Sequence, residues 1–132
     1  MAETVKIEIG QNHVGQITLN RPENLNTFTL ALATELNAAL LQLDSDPSVR
    51  VVILKGAGKA FCVGIDVGDF FGKSTMEYRE WIECMETPLM RISKMRTPVI
   101  AQVHGVAAAN GAGLVAACDL AIAADNAKIG LT

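Results

Sequence analysis

Val5, Ile7 and Ile9 alternate with Lys6 and Glu8, a period of two that predicts a half-buried strand over 5–9. Val14 to Leu19 is a second short apolar run, and Gly10-Gln11-Asn12-His13 between them carries turn chemistry, so the chain opens with a predicted hairpin. Asn20 to Asn24 reads as loop, since Pro22 is incompatible with a central strand. From Thr27 to Leu43 the period changes: Leu32, Leu36, Leu40 and Leu43 fall on one helical face, with Asn26, Thr27 or Thr29 as the cap and Asp44-Ser45-Asp46-Pro47 as the stop. Val51-Val52-Ile53-Leu54 is a continuous β-branched run expected to be a buried strand. A glycine-punctuated loop follows, and residues 75–95 predict a long amphipathic helix with Trp81, Met85, Leu89 and Ile92 on one face and a kink at Pro88. Val99 to Val103 predicts another buried strand, then a glycine turn and a small-residue helix at about 109–118. Leu120 to Ala124 predicts an apolar strand, and Lys128-Ile129-Gly130 begins one more. This order predicts a mixed α/β architecture with buried strands and no internal domain boundary.

Composition narrows the class. The chain has 132 residues, half of them AVILMFWYC and only 19% charged, so it is expected to form one globular domain over 1–132 and disorder is excluded. The formal charge is −3 with no Lys/Arg block, which argues against a nucleic-acid-binding face. Cys62, Cys84 and Cys118 lie far apart, are odd in number and lack CxxC spacing, so neither a disulfide framework nor a metal site is expected. The opening Met1-Ala2-Glu3-Thr4-Val5 lacks a signal-peptide pattern, and a cytoplasmic location is the expectation. Thr97 to Cys118 holds no charge, but Pro98, Gln102, His104, Asn110 and its glycines fit strand, turn and helix better than a membrane span.

Chemistry is expected where glycine loops leave buried strands. One such loop is Lys59 to Asp66, and the other is His104 to Gly113, which runs into a helix N-terminus with unpaired N–H groups. Two N–H groups from separate loops can form an oxyanion hole, each donor being worth about 2.7–4 kcal/mol of barrier. Glycine turns are also ordinary connectors. Neither loop has the GxxxxGK[ST] or GxGxxG pattern of a nucleotide site.

Four segments carry a resemblance. Asn20-Arg21-Pro22-Glu23-Asn24-Leu25-Asn26 fits N-R-P-x-x-x-N; Val51 to Asp66 fits V-V-I-L-x-G-x-G-x-A-F-C-x-G-x-D. Pro98 to Gly105 fits P-V-I-A-x-V-x-G, and Cys118 to Ala123 fits C-D-x-x-x-A. In this order and at these spacings the chain resembles the crotonase superfamily, the enoyl-CoA hydratase/isomerase group. The resemblance implies an α/β spiral of ββα units of the crotonase/ClpP-like kind, of which these residues would be the N-terminal part. It implies acyl-CoA thioesters as substrates, with no tightly bound cofactor, no metal, no nucleic acid and no membrane partner. It implies a homotrimer or hexamer for a full-length chain. By motif position the oxyanion donors would be the N–H groups of Ile65 and Asn110, the latter standing where glycine is usual. CoA contacts would come from the backbone of Ala60, Cys62, Val63, Gly64, Asp66 and Val67, from Gly111, and from the loop at Arg21. Lys55, Lys59 and Lys73 would add local positive charge.

The sequence departs from the hydratase pattern at Gly113, where the first of two glutamates would stand; the second would follow Thr132. Glu86 becomes the acid/base candidate, near the position where the family's chlorobenzoyl-CoA dehalogenase carries a histidine. The alternative is that Glu83 and Glu86 are simply a solvated helix face. Asp66 and Asp69 read as turn-organising residues, His104 as a hydrogen-bonded structural histidine, and the three cysteines as small buried residues. Trp81 and Met85 read as core or acyl-pocket lining. The leading function is an enolate-stabilising acyl-CoA enzyme, with isomerase, thioester hydrolase or decarboxylase chemistry as variants. A catalytically silent acyl-CoA-binding or structural paralogue is the alternative that Gly113 favours. A ClpP-like protease would need a Ser/His/Asp set, and Ser45, Ser48, Ser74 and Ser93 do not follow either glycine turn.

Overall fold

A computed structural model describes residues 3–131. Thr132, after which the second glutamate would stand, and Met1 and Ala2 of the opening segment lie outside the described residues. Strands β1 (Val5–Ile9) and β2 (Val14–Leu19) form the expected antiparallel hairpin, with Val5 opposite Leu19 and Ile9 opposite Gly15. Strands β3 (Val51–Gly56), β4 (Val99–Val103) and, later in the chain, β6 (Leu120–Ala123) add in parallel, giving the order β1-β2-β3-β4-β6. Gly15, Ile17 and Leu19 of β2, Val52 and Leu54 of β3, and Val99, Ala101 and Val103 of β4 are buried. This is the period-two face of a sheet packed against helices.

Helix α1 (Leu30–Asp44) crosses from β2 to β3. Thr29 caps it, its side-chain oxygen accepting from Leu32 N–H at 3.1 Å, and Leu32, Ala33, Leu36, Ala39, Leu40 and Leu43 form its buried face. The helix therefore starts three residues later than the apolar period predicts. Asn26, Thr27 and Phe28 are instead drawn out of the helix into contacts with the first glycine loop. After a short helix α2 (Val67–Phe70) comes α3 (Thr75–Lys94), opened by a capping box between Ser74 and Glu77. Trp81, Met85, Pro88 and Ile92 are its buried residues; the helix runs through Pro88 as one element, with the imino acid inside the core-facing stripe. Neither α2 nor strand β5 (Val106–Ala108) has a sequence period long enough to announce it.

β5 pairs in parallel with β7 (Lys128–Gly130), Val106 opposite Lys128 and Ala108 opposite Gly130. Two isolated parallel bridges extend the same ladder, Cys62 with Ala107 and Phe28 with Ile65. Each passage of the chain thus leaves a main-sheet strand, contributes a short rung to a second layer, and in the first three passages continues into a helix. The rungs are Phe28, Cys62–Ile65, β5 and β7, following β2, β3, β4 and β6. This repeated ββα winding is the spiral expected from the sequence. Helix α4 (Asn110–Ala117) completes the third passage.

β6 is the apolar strand expected from the sequence. All four of its residues are exposed, with Leu120 at 64% and Ile122 at 67%. Its one partner among the described residues is β4, and no described element covers its faces. Cys84 and Cys118 are half-buried, whereas Cys62 is fully buried.

Candidate active site

The two glycine loops leave the C-terminal ends of β3 and β4, the edge at which open parallel sheets place ligands. A concavity of about 470 Å³ lined by Asp44, Arg50, Arg96 and Thr97 lies at the opposite end of these strands and holds none of the candidate residues. Backbone pairing joins the two loops. The N–H groups of Phe61 and Cys62 donate to Val106 O at 3.1 and 3.2 Å, and Ala108 N–H donates to Cys62 O at 3.0 Å. Gly111 tightens the junction: a Cβ there would sit 2.0 Å from Cys62 O, so only glycine lets the start of α4 lie against the first loop. A Cβ on Gly64 would lie 3.4 Å from the Ala109 Cβ. The residues preceding Ile65 and Asn110 are therefore within van der Waals reach of each other.

The orientation of both donors follows from peptide planarity. In a trans peptide the C=O and the following N–H point in opposite directions. Gly64 O accepts from Phe28 N–H at 2.8 Å, so the Ile65 N–H of the same peptide points away from Phe28. Ala109 O accepts from Gly113 N–H at 3.0 Å, the first bond of α4, so Asn110 N–H points out of the helix N-terminus. Neither N–H has a protein partner among the described residues. Ala109 takes φ 51° and ψ −116°, a conformation L-residues rarely adopt, at the residue whose peptide carries the second donor. Asn110 is half-buried, and its side-chain amide nitrogen has no partner among the described residues.

A polar clamp surrounds the first donor. Asp66 N–H donates to Phe28 O at 2.8 Å, completing the bridge on the far side of Ile65. The Asp66 carboxylate accepts from Arg21 Nη2 at 3.1 Å, from Gly68 N–H at 2.9 Å and from Thr27 Oγ1 at 3.3 Å. The Arg21 hydrogen bond, foremost, holds its carboxyl below the usual carboxylate range against a burial cost, helped by the Gly68 N–H and the Arg21 charge. Arg21 also donates through Nη1 to Thr27 O and Oγ1. Asn26, a candidate helix cap and the last residue of the N-R-P-x-x-x-N segment, is fully buried with φ 57°. Its Oδ1 accepts from Arg21 N–H at 2.8 Å, and its Nδ2 donates to Ala57 O at 2.9 Å and Ala60 O at 3.0 Å. The signals for it in the sequence are its place at the end of the N-R-P-x-x-x-N segment and the presence of Thr29 as a better-placed cap.

The remaining candidates are placed as follows. Ala60 and Cys62 are buried and Val63 is half-buried; Val63 N–H donates to Leu25 O at 3.2 Å, and Val67 is exposed. Gly113 lies on α4 against α3, where a Cβ would be 2.9 Å from Leu89 Cδ2. Glu86 lies one turn before Leu89 on α3 and is exposed, as is Glu83. His104 is structural, donating from Nε2 to Gly58 O at 2.7 Å. Asp69 accepts from Trp81 Nε1 at 2.7 Å and Leu30 N–H at 3.0 Å, tying α3 and α1 to α2. Burial pushes the Cys62 thiol up to about 11, which suits a packed residue and not a nucleophile. Of the cations, Arg21 is held by Asp66, Lys73 lies 5.5 Å over the Trp81 ring, Lys55 is half-buried and Lys59 is exposed. No cluster of metal-ligating side chains occurs among the described residues, and no described helix is long and apolar enough to cross a membrane.

Residues 9–132 match the family model described as enoyl-CoA hydratase/isomerase. The chain is 38% identical over 136 residues to the (E)-benzylidenesuccinyl-CoA hydratase of Thauera aromatica, covering 97% of this chain and 50% of that protein. It is 36% identical over 126 residues to the peroxisomal Delta(3,5)-Delta(2,4)-dienoyl-CoA isomerase of Arabidopsis thaliana, covering 86% and 45%. The crystal structure of an enoyl-CoA hydratase from Mycobacterium smegmatis superposes with a TM-score of 0.90 at 37% identity, covering 94% of this chain and 49% of that one. The chain thus spans about half the length of the relatives it matches.

Proposed function

We infer the activity from one premise: this chain belongs to the enoyl-CoA hydratase/isomerase family. We propose that it binds an acyl-CoA thioester with the carbonyl oxygen between the N–H groups of Ile65 and Asn110. There the two donors stabilise the negative charge of an enolate-type intermediate. The observation that carries the reading is the pair of unpartnered N–H groups on neighbouring loops, each aimed outward by a bond to the carbonyl of its own peptide. Such donors are already oriented when charge develops, which is why they lower a barrier more than water does. Glu86 is the acid/base candidate in this proposal, and a trimeric or hexameric assembly of the full-length protein belongs to it.

Acetoacetyl-CoA is a suitable probe because its enolate absorbs in the near ultraviolet and its keto form does not. The protein is expected to bind it and to raise its enolate fraction at neutral pH above that in buffer. Binding with no change in enolate fraction would contradict the proposal.

A second reading, an acyl-CoA-binding protein without turnover, is favoured by the α3–α4 contact. At the first hydratase position there is no carboxylate, and the Leu89 side chain occupies the space beside Gly113. Thioester binding and enolisation without hydration, isomerisation or hydrolysis across a panel of acyl-CoAs would select it.

A further inference from the structure

We infer that Arg21 and Asp66 act as a positioning pair that sets the direction of the Ile65 N–H and do not contact the CoA moiety. The inference rests on the enolate-stabilising reading above.

The peptide that carries the first donor is preceded by Gly64, at φ +117°. Glycine gives little torsional resistance, so this peptide would swing freely unless something outside it held it. The backbone supplies one bridge, Phe28 N–H to Gly64 O and Asp66 N–H to Phe28 O, both 2.8 Å, preceded by a longer bond from Val63 N–H to Leu25 O at 3.2 Å. Beyond Asp66 no backbone bond among the described residues continues the pairing. The side-chain link lies directly beside it: Thr27 precedes Phe28, Asp66 follows Ile65, and the Arg21 guanidinium joins the two. Arg21 is suited to this because its planar fork reaches two acceptors at once. Its side chain is only 16% exposed, and that of Asp66 23%. Three of the five Arg21 N–H donors are engaged by Thr27 and Asp66, so the guanidinium is anchored to the loop.

The test uses CoA and acetoacetyl-CoA with wild-type protein and the variants Asp66→Ala, Asp66→Glu, Arg21→Ala and Arg21→Lys. Calorimetry gives Kd for each ligand, and near-ultraviolet absorbance gives the enolate-to-keto ratio of bound acetoacetyl-CoA. Asp66→Ala and Arg21→Ala are expected to leave the Kd for CoA within about twofold while lowering the enolate-to-keto ratio about 10- to 100-fold, the cost of a misplaced donor. Asp66→Glu is expected to recover part of the ratio, and Arg21→Lys less, because one ammonium cannot span both acceptors. If Arg21→Ala weakens CoA tenfold or more with the ratio unchanged, Arg21 is a CoA ligand and the inference fails. It fails equally if both readouts fall together and the conservative variants recover neither. Wild-type protein that binds the thioester without enolising it overturns the parent reading and this one with it.

Discussion

At the scale of single residues, the site is defined by backbone conformations that side chains either permit or oppose. Ala109 opposes its own: a Cβ at φ 51° and ψ −116° is strained, and strain of this kind costs about 1–3 kcal/mol. Ala109→Gly is therefore expected to raise stability by about 1 kcal/mol, read from denaturant unfolding, while keeping the Asn110 N–H in place. Destabilisation instead would mean that the methyl contact of Ala109 outweighs the strain. Asp66 gives a second residue-scale prediction. Its folded-state pKa is depressed, chiefly by the Arg21 hydrogen bond, so its contribution is fully present above the unfolded carboxylate value near 3.9 and is lost as pH falls through the folded value. The melting-temperature gap between wild type and Asp66→Asn should be open at pH 7 and close as the pH falls below the unfolded carboxylate value and through the lower folded one. A gap independent of pH would separate Asp66 from any ionic role.

At the scale of elements, the contact between the first loop and α4 should be unforgiving and that between α3 and α4 should not. Gly111→Ala would place a methyl 2.0 Å from Cys62 O, a backbone atom that cannot step aside. It is expected to cost more than about 2 kcal/mol and to abolish enolate stabilisation, because it pries the two donors apart. Gly113→Glu meets only the end of the Leu89 side chain at 2.9 Å and removes a helical glycine, so its stability should stay within about 1 kcal/mol of wild type. The same pair of glycines shows what the sequence could convey. Long periodic elements such as α1 and α3 were legible because large apolar residues repeat on one face, leucines in α1 and Trp81, Met85 and Ile92 in α3. Both glycine loops were legible as punctuation after apolar runs. Their mutual pairing was not, since the Cys62–Ala107 and Phe28–Ile65 bridges join segments far apart in sequence and each occupies one residue. The same is true of Asn26, whose amide nitrogen holds the turn from Ala57 to Ala60 by two bonds while its oxygen accepts from Arg21 N–H: a buried Asn and a helix-capping Asn look alike until the chain is folded.

At the scale of the whole molecule, the winding of ββα units explains why the second layer is built of rungs as short as one residue. Each rung is held by its neighbours along the ladder and by the main-sheet strand that precedes it, so no long sequence run is needed to specify it. The winding also leaves β6 and β7 as open apolar edges, with Leu120, Ile122, Ile129 and Leu131 each at least half exposed. Open edges of this composition template association with further strands. Protein consisting of these 132 residues is therefore expected to self-associate in a concentration-dependent way, and Ile122→Lys to reduce it, as read by sedimentation velocity. Monomeric behaviour at high concentration in the unsubstituted protein would contradict this. The central claim, that the chain's chemistry lies in two backbone N–H groups, is tested most directly by nuclear magnetic resonance of labelled protein titrated with acetoacetyl-CoA. The account predicts that the amide protons of Ile65 and Asn110 move downfield more than any others and become protected from exchange with solvent. If these two amides stay at their free positions while others respond to the ligand, the proposed oxyanion hole is not formed by these two loops.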